Sequence, residues 1–158
     1  MARGSFIFWT TVKMPKAGMR RLGGMAHGGI FWRAVENAFT QTGRYMQADA
    51  AMRVPTFTGA LKKSLNYLVI KRGGDSSLSF YSDSPYAAPV EYGSAPHEVM
   101  SERVRMWAEA KGISAAAMYN AIALRGTRPH PFFNPTVAAG QDALIRKLEI
   151  AIKRFVRG

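Results

Sequence analysis

The stretch that decides the fold begins Val54-Pro55-Thr56-Phe57-Thr58-Gly59-Ala60-Leu61-Lys62-Lys63-Ser64-Leu65. It passes through Gly73-Gly74-Asp75 and closes with Ser84-Pro85-Tyr86-Ala87-Ala88-Pro89-Val90-Glu91-Tyr92-Gly93. Pro55 biases Val54 away from helical backbone, so a helix leading into the stretch must stop near Arg53. Gly59, after Thr58, allows the positive φ that a sharp change of direction needs. From Leu61 to Arg72 the pattern partly alternates, with Leu65, Tyr67 and Val69 on one face and Leu68 and Ile70 on the other, which predicts a strand. Gly73-Gly74-Asp75 is a hairpin signal. Ser76 to Ser82 returns with Leu78 and Phe80 inward and Ser77, Ser79 and Tyr81 outward. Pro85 and Pro89 bracket Tyr86-Ala87-Ala88, and Tyr86 to Gly93 reads as a second turn that ends the sheet.

Working outward, Ile30 to Arg53 is the strongest helical pattern. Phe31, Val35, Phe39, Thr42, Met46 and Ala50 recur at three- and four-residue spacing. Gly43 should weaken this helix by about 1 kcal/mol relative to Ala. Before it, Ser5 to Lys13 is rich in aromatic and β-branched residues and predicts a strand. Residues 15–29, with five glycines, read as loop and lack the spacing of a phosphate-binding P-loop. After the central stretch, Glu98 to Lys111 and Ala115 to Arg125 predict two helices, stopped by Gly112 and Gly126, with Ser114 capping the second. Thr127-Arg128-Pro129-His130-Pro131-Phe132-Phe133-Asn134-Pro135 predicts an extended corner. A last amphipathic helix should then run from about Thr136 to Phe155, capped by Asn134 or Thr136. The sum is one α+β domain over residues 1–158. A small antiparallel sheet packs on a long N-terminal helix and a C-terminal helix, with an inserted helical hairpin at about 98–126.

Composition limits the chemistry. The chain has 158 residues, enough for one domain with its own core, and 47% of them are hydrophobic. It contains no cysteine, which excludes a disulfide scaffold, a thiol nucleophile and any cysteine-based metal site. The net charge is +12, from 22 Lys and Arg against ten acids. Such a chain seeks polyanions or acidic protein surfaces. Its basic residues are scattered in pairs rather than gathered in one long run, so a basic nucleic-acid arm is not indicated. The apolar run Phe6-Ile7-Phe8-Trp9 is too short for a membrane span or a signal peptide. The expectation is a protein made in the cytoplasm, with no membrane partner.

No catalytic constellation is legible. His27, His97 and His130 are isolated from one another and from carboxylates at helical spacing. The ten acids form no metal cluster, and no cofactor motif is present, so the expectation is a non-enzyme with no cofactor or metal. Glu91 is the most informative acid, lying between Val90 and Tyr92 in a basic chain. A catalytic carboxylate is one reading; an ion pair with an arginine, in the chain or across a subunit contact, is the favoured one. Phe6, Phe8 and Trp9, and the pair Phe132-Phe133, are either core or contact residues.

Three pieces, in order, resemble a known family. They are Pro55-x-x-Thr58-Gly59-x-Leu61-x-x-Ser64, then Tyr86-Ala87-x-x-Val90-Glu91-Tyr92-Gly93, then Pro131-Phe132-x-x-Pro135 before a final amphipathic helix. Together they are similar to the neck or tail-completion proteins of long-tailed bacteriophages, also described as head–tail joining or minor tail proteins. Ser94 stands where that family usually has Thr, and Thr136 where a small residue such as Ala is common. The resemblance implies a structural virion protein, assembled in the host cytoplasm and located in the neck or tail. It implies a homo-oligomeric ring, typically hexameric, stacked between adaptor proteins and the tail tube or tail terminator, with DNA passing through. Phe6, Phe8, Trp9, Glu91, Tyr92, Phe132, Phe133, Arg154 and Arg157 are then the candidate interface residues. The alternative is a basic nucleic-acid-binding protein that acts alone.

Overall fold

The computed structural model describes residues 8–13, 29–55, 58–72 and 75–156. The fold is α+β, with a three-stranded antiparallel sheet laid on two long helices. In chain order the elements are β1 (Phe8–Lys13), α1 (Gly29–Arg53), α2 (Ala60–Lys63), β2 (Leu65–Arg72) and β3 (Asp75–Ser82). There follow α3 (Ala87–Tyr92), α4 (Glu102–Ala110), α5 (Ala115–Arg125) and α6 (Phe133–Val156).

Helix α1 buries the stripe the sequence predicts. Phe31, Val35, Phe39, Thr42, Met46 and Ala50 are all in the core, each large apolar side chain contributing about 1.5–3 kcal/mol by leaving water. Thr42 is tolerated there because its hydroxyl donates to the Ala38 carbonyl at 2.7 Å. Val54 N–H makes a last bond to the Ala50 carbonyl, 2.9 Å, before Pro55 ends the run.

The chain then reverses at Gly59, whose φ is +73°. The predicted strand does not start at Leu61. Residues Ala60–Lys63 form one helical turn, because Ala, Leu and Lys are good helix formers and Thr58 Oγ1 accepts the Ala60 N–H at 3.3 Å. Ser64 closes the turn by donating its hydroxyl to the Leu61 carbonyl, 2.7 Å. Leu61 is thereby buried rather than set on a strand face.

The sheet order is β1-β3-β2. Strand β2 runs against β3 from Leu65↔Ser82 to Arg72↔Asp75, and β1 runs against β3 from Phe8↔Ser82 to Lys13↔Ser77. Leu65, Tyr67, Val69, Leu78 and Phe80 turn to the helices, as the alternation predicts. Ser79 departs from its predicted exposure and is 2% exposed. It lies on the face away from Phe80, but β3 is the central strand, and Thr11 and Leu68 flank it in register. At the far end of the hairpin, Lys71 Nζ meets Glu36 of α1 at 2.6 Å.

Tyr86 to Gly93 is not a simple turn. Residues 87–92 form the short helix α3, stopped by Gly93 at φ +75°. Pro89 is its third residue, where a helix has no use for the missing N–H. The same rule moves the start of the last helix. Helix α6 begins at Phe133, not Thr136, and Pro135 is again the third residue. Helix α6 runs antiparallel along α1. Thr136 bonds Asp49, Gly140 faces Met46, and Lys147 reaches Gln41. The ring of Phe133 stacks on Phe80 of β3 with centroids 5.1 Å apart, which joins the start of α6 to the sheet.

Between α3 and α6 the chain makes an excursion. Helix α4 starts at Glu102 rather than Glu98, since residues 97–100 are held non-helical and Ser101 has extended backbone, φ −119° and ψ 128°. Gly112 and Gly126, at φ +69° and +70°, stop α4 and α5 as predicted, and Ser114 Oγ accepts the Ala117 N–H at 3.1 Å. Helices α4 and α5 pack on each other as a hairpin. The two ends of the excursion are tied by an antiparallel bridge in which Ser94 N–H donates to Thr127 O (3.2 Å) and Thr127 N–H to Ser94 O (3.1 Å). A Cβ on Gly126 would lie 1.8 Å from the Ser94 carbonyl oxygen, so the close crossing itself requires glycine.

Candidate interaction surface

The sequence-derived candidates fall into two groups, core and surface. Phe132 and Phe133 are buried within the chain, packed edge to face with centroids 6.3 Å apart. They are core residues here, with no face to offer a partner. Phe8 and Trp9 lie in β1, opposite Ser82 and Tyr81 in register. Phe6 and Arg157 lie outside the described residues, as does the loop predicted at 15–29 apart from Gly29, which begins α1. Tyr92 is 58% exposed, and its hydroxyl accepts from Asn134 Nδ2 at 3.4 Å. Arg154 is exposed near the end of α6.

Glu91 has neither of the roles read from the sequence. It is 1% exposed and accepts three backbone N–H groups, from Phe132 (2.7 Å), Phe133 (2.7 Å) and Asn134 (3.0 Å). These are orphan donors at the start of α6, which a helix cannot satisfy internally. The carboxylate thus caps α6 from another element, and its negative charge sits at the positive end of the helix dipole. The expected ion pair with an arginine is replaced by this cap. Neither Asn134 nor Thr136 caps the helix with its side chain. Thr136 instead donates its hydroxyl to Asp49 at 2.5 Å.

Asp49 is a residue that sequence reading passed over. It is buried in α1 and accepts from Thr136 of α6 and from Arg53 Nε at 2.7 Å. The hydrogen bond from Arg53, supported by that from Thr136, outweighs burial and holds the Asp49 carboxyl below its ordinary value of 3.8. The four-residue spacing of Asp49 and Arg53 was a readable signal of half of this arrangement.

Among the described residues, no three His, Asp or Glu side chains gather as metal ligands. Ser94 and His97 approach at 3.5 Å, but His97 Nδ1 carries the proton that it donates to the Ala95 carbonyl at 2.9 Å. That nitrogen is therefore no base toward Ser94, whose hydroxyl also meets Thr127 Oγ1 at 3.0 Å. The group is a clasp for the excursion. His130 has an exposed ring, and its backbone N–H donates to the Val90 carbonyl, 2.8 Å.

What the surface does offer is apolar area and positive charge. Met100 (93% exposed) and Leu124 (77%) lie on the excursion, with Met106 and Ile113 also exposed there. Arg103 crosses from α4 to the rim of α3, where it donates to the Tyr86 hydroxyl at 2.8 Å and lies 5.3 Å over that ring. On the opposite side, α1 and α6 border a cleft of about 330 Å³ lined by Ala34, Asn37, Ala38, Gln41, Lys147, Ile150, Ala151 and Arg154. No helix among the described residues is long and apolar enough to cross a membrane. Comparisons with protein-family models, with curated proteins and with solved structures find no match for this chain.

Proposed function

We propose that the chain is a non-catalytic structural subunit of a tailed bacteriophage particle. It forms a ring at the head–tail junction, hexameric by the resemblance, that joins head to tail and lets DNA pass. The observation that carries the reading is an apolar surface the fold does not use. Met100 and Leu124 stand in water on an excursion tied off from the body at Ser94 and Thr127. Contiguous exposed apolar patches mark contact surfaces, and in this reading these side chains belong to one. The ordered motifs around Thr58-Gly59, Glu91-Tyr92-Gly93 and Pro131-Phe132 support the family, and the body gives each a structural reason. Gly59 turns the chain, Glu91 caps α6, and Phe132 fills the core. The partners in this reading are further copies of the chain, the adjoining neck or adaptor ring, and a tail-tube or terminator protein.

Light scattering on the purified chain tests the reading, read together with electron microscopy of mixtures with tail and head fractions. A closed ring, or incorporation into joined particles, is the expected result. Charge reversal of Arg154 and Arg157 to Glu should impair joining while leaving the circular dichroism spectrum unchanged. The competing reading, a lone nucleic-acid binder, draws on the net charge of +12. It predicts a monomer that binds duplex DNA with affinity falling steeply as salt rises. That outcome, without assembly, would replace the ring.

A further inference from the structure

The cleft between α1 and α6 has a floor and a rim of different chemistry. Ala34, Ala38, Ile150 and Ala151 give an apolar floor, and Lys147 and Arg154 supply the charge. No carboxylate lines it. Lys147 Nζ is held over the cleft by a neutral acceptor, the Gln41 side-chain oxygen, at 2.9 Å. Among the described residues, Arg154, like most of the cations, has no carboxylate within ion-pair distance; Arg53, Lys71 and Arg105 are the paired ones. The acids that make those pairs, Asp49, Glu36, Glu102 and Glu109, are not among the lining residues, although Glu36 and the unpaired Glu149 neighbour Asn37 and Ile150 in sequence. Both walls are long helices locked to each other, so the site is formed before anything binds.

We propose that this cleft docks an acidic segment of another protein. An apolar side chain of that segment seats on the alanine and isoleucine floor, and its carboxylates pair with Lys147 and Arg154. Charge complementarity selects the occupant. A second copy of this chain would bring a net charge of +12 to an already cationic rim. A nucleic-acid backbone would answer the rim and leave the apolar floor uncovered. An acidic, apolar-anchored segment answers both, and carboxylate pairing at a partly desolvated rim favours it over neutral peptides. The inference concerns the isolated chain and holds whether or not that chain forms rings.

The test is selection of displayed, randomised helical peptides on the purified wild-type chain, followed by titration of the enriched peptides. Enriched sequences should carry Asp or Glu beside one or two large apolar residues. Their amide-shift footprint should centre on Ala34, Gln41 and Ile150. Affinity should fall more than tenfold in Lys147→Glu/Arg154→Glu and several-fold in Arg154→Glu alone. It should hold within twofold in Lys62→Glu/Lys63→Glu, which changes the net charge as much at a site far along the chain. Three results would overturn the proposal. One is no acidic enrichment. Another is equal loss of affinity in both double variants, which would mean general charge attraction. The third is displacement of the peptides by duplex DNA from the same footprint.

Discussion

The carboxylate of Glu91 lies 2.7 Å from the backbone nitrogen of Phe133, a residue 42 positions later in the chain. Together with its bonds to Phe132 and Asn134, this makes one acid the cap of the longest C-terminal element. Glu91→Ala would strand buried donors at about 1–3 kcal/mol each, so a total loss of about 3 kcal/mol or more is expected. Glu91→Gln keeps an acceptor but turns an amide donor toward other donors, and about half that loss is expected. Urea unfolding measures both. A wild-type midpoint for Glu91→Ala would mean that α6 starts without this cap.

The pair Asp49 and Thr136 predicts an acid-sensitive fold. Arg53 first, then Thr136, lowers the Asp49 carboxyl below 3.8. A carboxyl lowered in the folded state stabilises the fold above its unfolded value. It loses that contribution as pH falls through the folded value. Melting temperature should therefore drop from about pH 4 downward in wild type, and Asp49→Asn should flatten that part of the profile. Thr136→Val should cost about 1 kcal/mol at neutral pH by removing one donor from a buried charge. Parallel pH profiles for wild type and Asp49→Asn would sink this account.

Gly43 sits in the middle of α1, where Ala would ordinarily gain about 1 kcal/mol of helix propensity. A Cβ there would lie 2.2 Å from Cδ2 of Tyr67, inside the ring. Gly43→Ala is therefore expected to destabilise by about 1–3 kcal/mol through overpacking. In a Tyr67→Ala background the sign should reverse. A double-mutant cycle followed by thermal melting reads the coupling. Stabilisation by Gly43→Ala in the wild-type background would contradict the packing of α1 on β2.

The bridge between Ser94 and Thr127 predicts that the excursion is separable. Replacing residues 97–124 by a short Gly-Ser linker, with Gly93 and Gly126 kept, should leave a folded body. Its melting temperature should lie within a few degrees of wild type, as a longer or shorter surface loop changes closure entropy only slightly. The deletion removes the Arg103 contact to Tyr86 but none of the bonds of Glu91. A molten or insoluble product would show that α4 and α5 belong to the body.

Much of this fold was legible because its signals are local. The stripe on α1, the hairpin of β2 and β3, the Ser114 cap, the reversal at Gly59 and the stops at Gly112 and Gly126 each follow from patterns of near neighbours in sequence. Two of the departures share one cause. Pro89 and Pro135 were read as breakers, but both occupy the third position of a helix, where no N–H is required. The cap that lets α6 start so early lies in α3, beyond the reach of a local pattern. A hint was present: Glu91 is flanked by apolar residues, although Asn134 and Thr136 offered nearer candidates for the cap. Asp49 was half legible through Arg53; its bond to Thr136 was not.

The antiparallel pairing of α1 with α6 has a consequence for how the protein is made. The apolar stripe of α1 is completed by α6, so its partner arrives only after the strands β2 and β3 and the helices α3 to α5 have been synthesised. Until Gly140 and Ala151 leave the ribosome, Met46 and Ala38 lack the helix that packs beside them. Contacts this distant in sequence form slowly, and a waiting apolar face invites premature association. The rate at which α6 docks then sets how many nascent chains fold rather than aggregate.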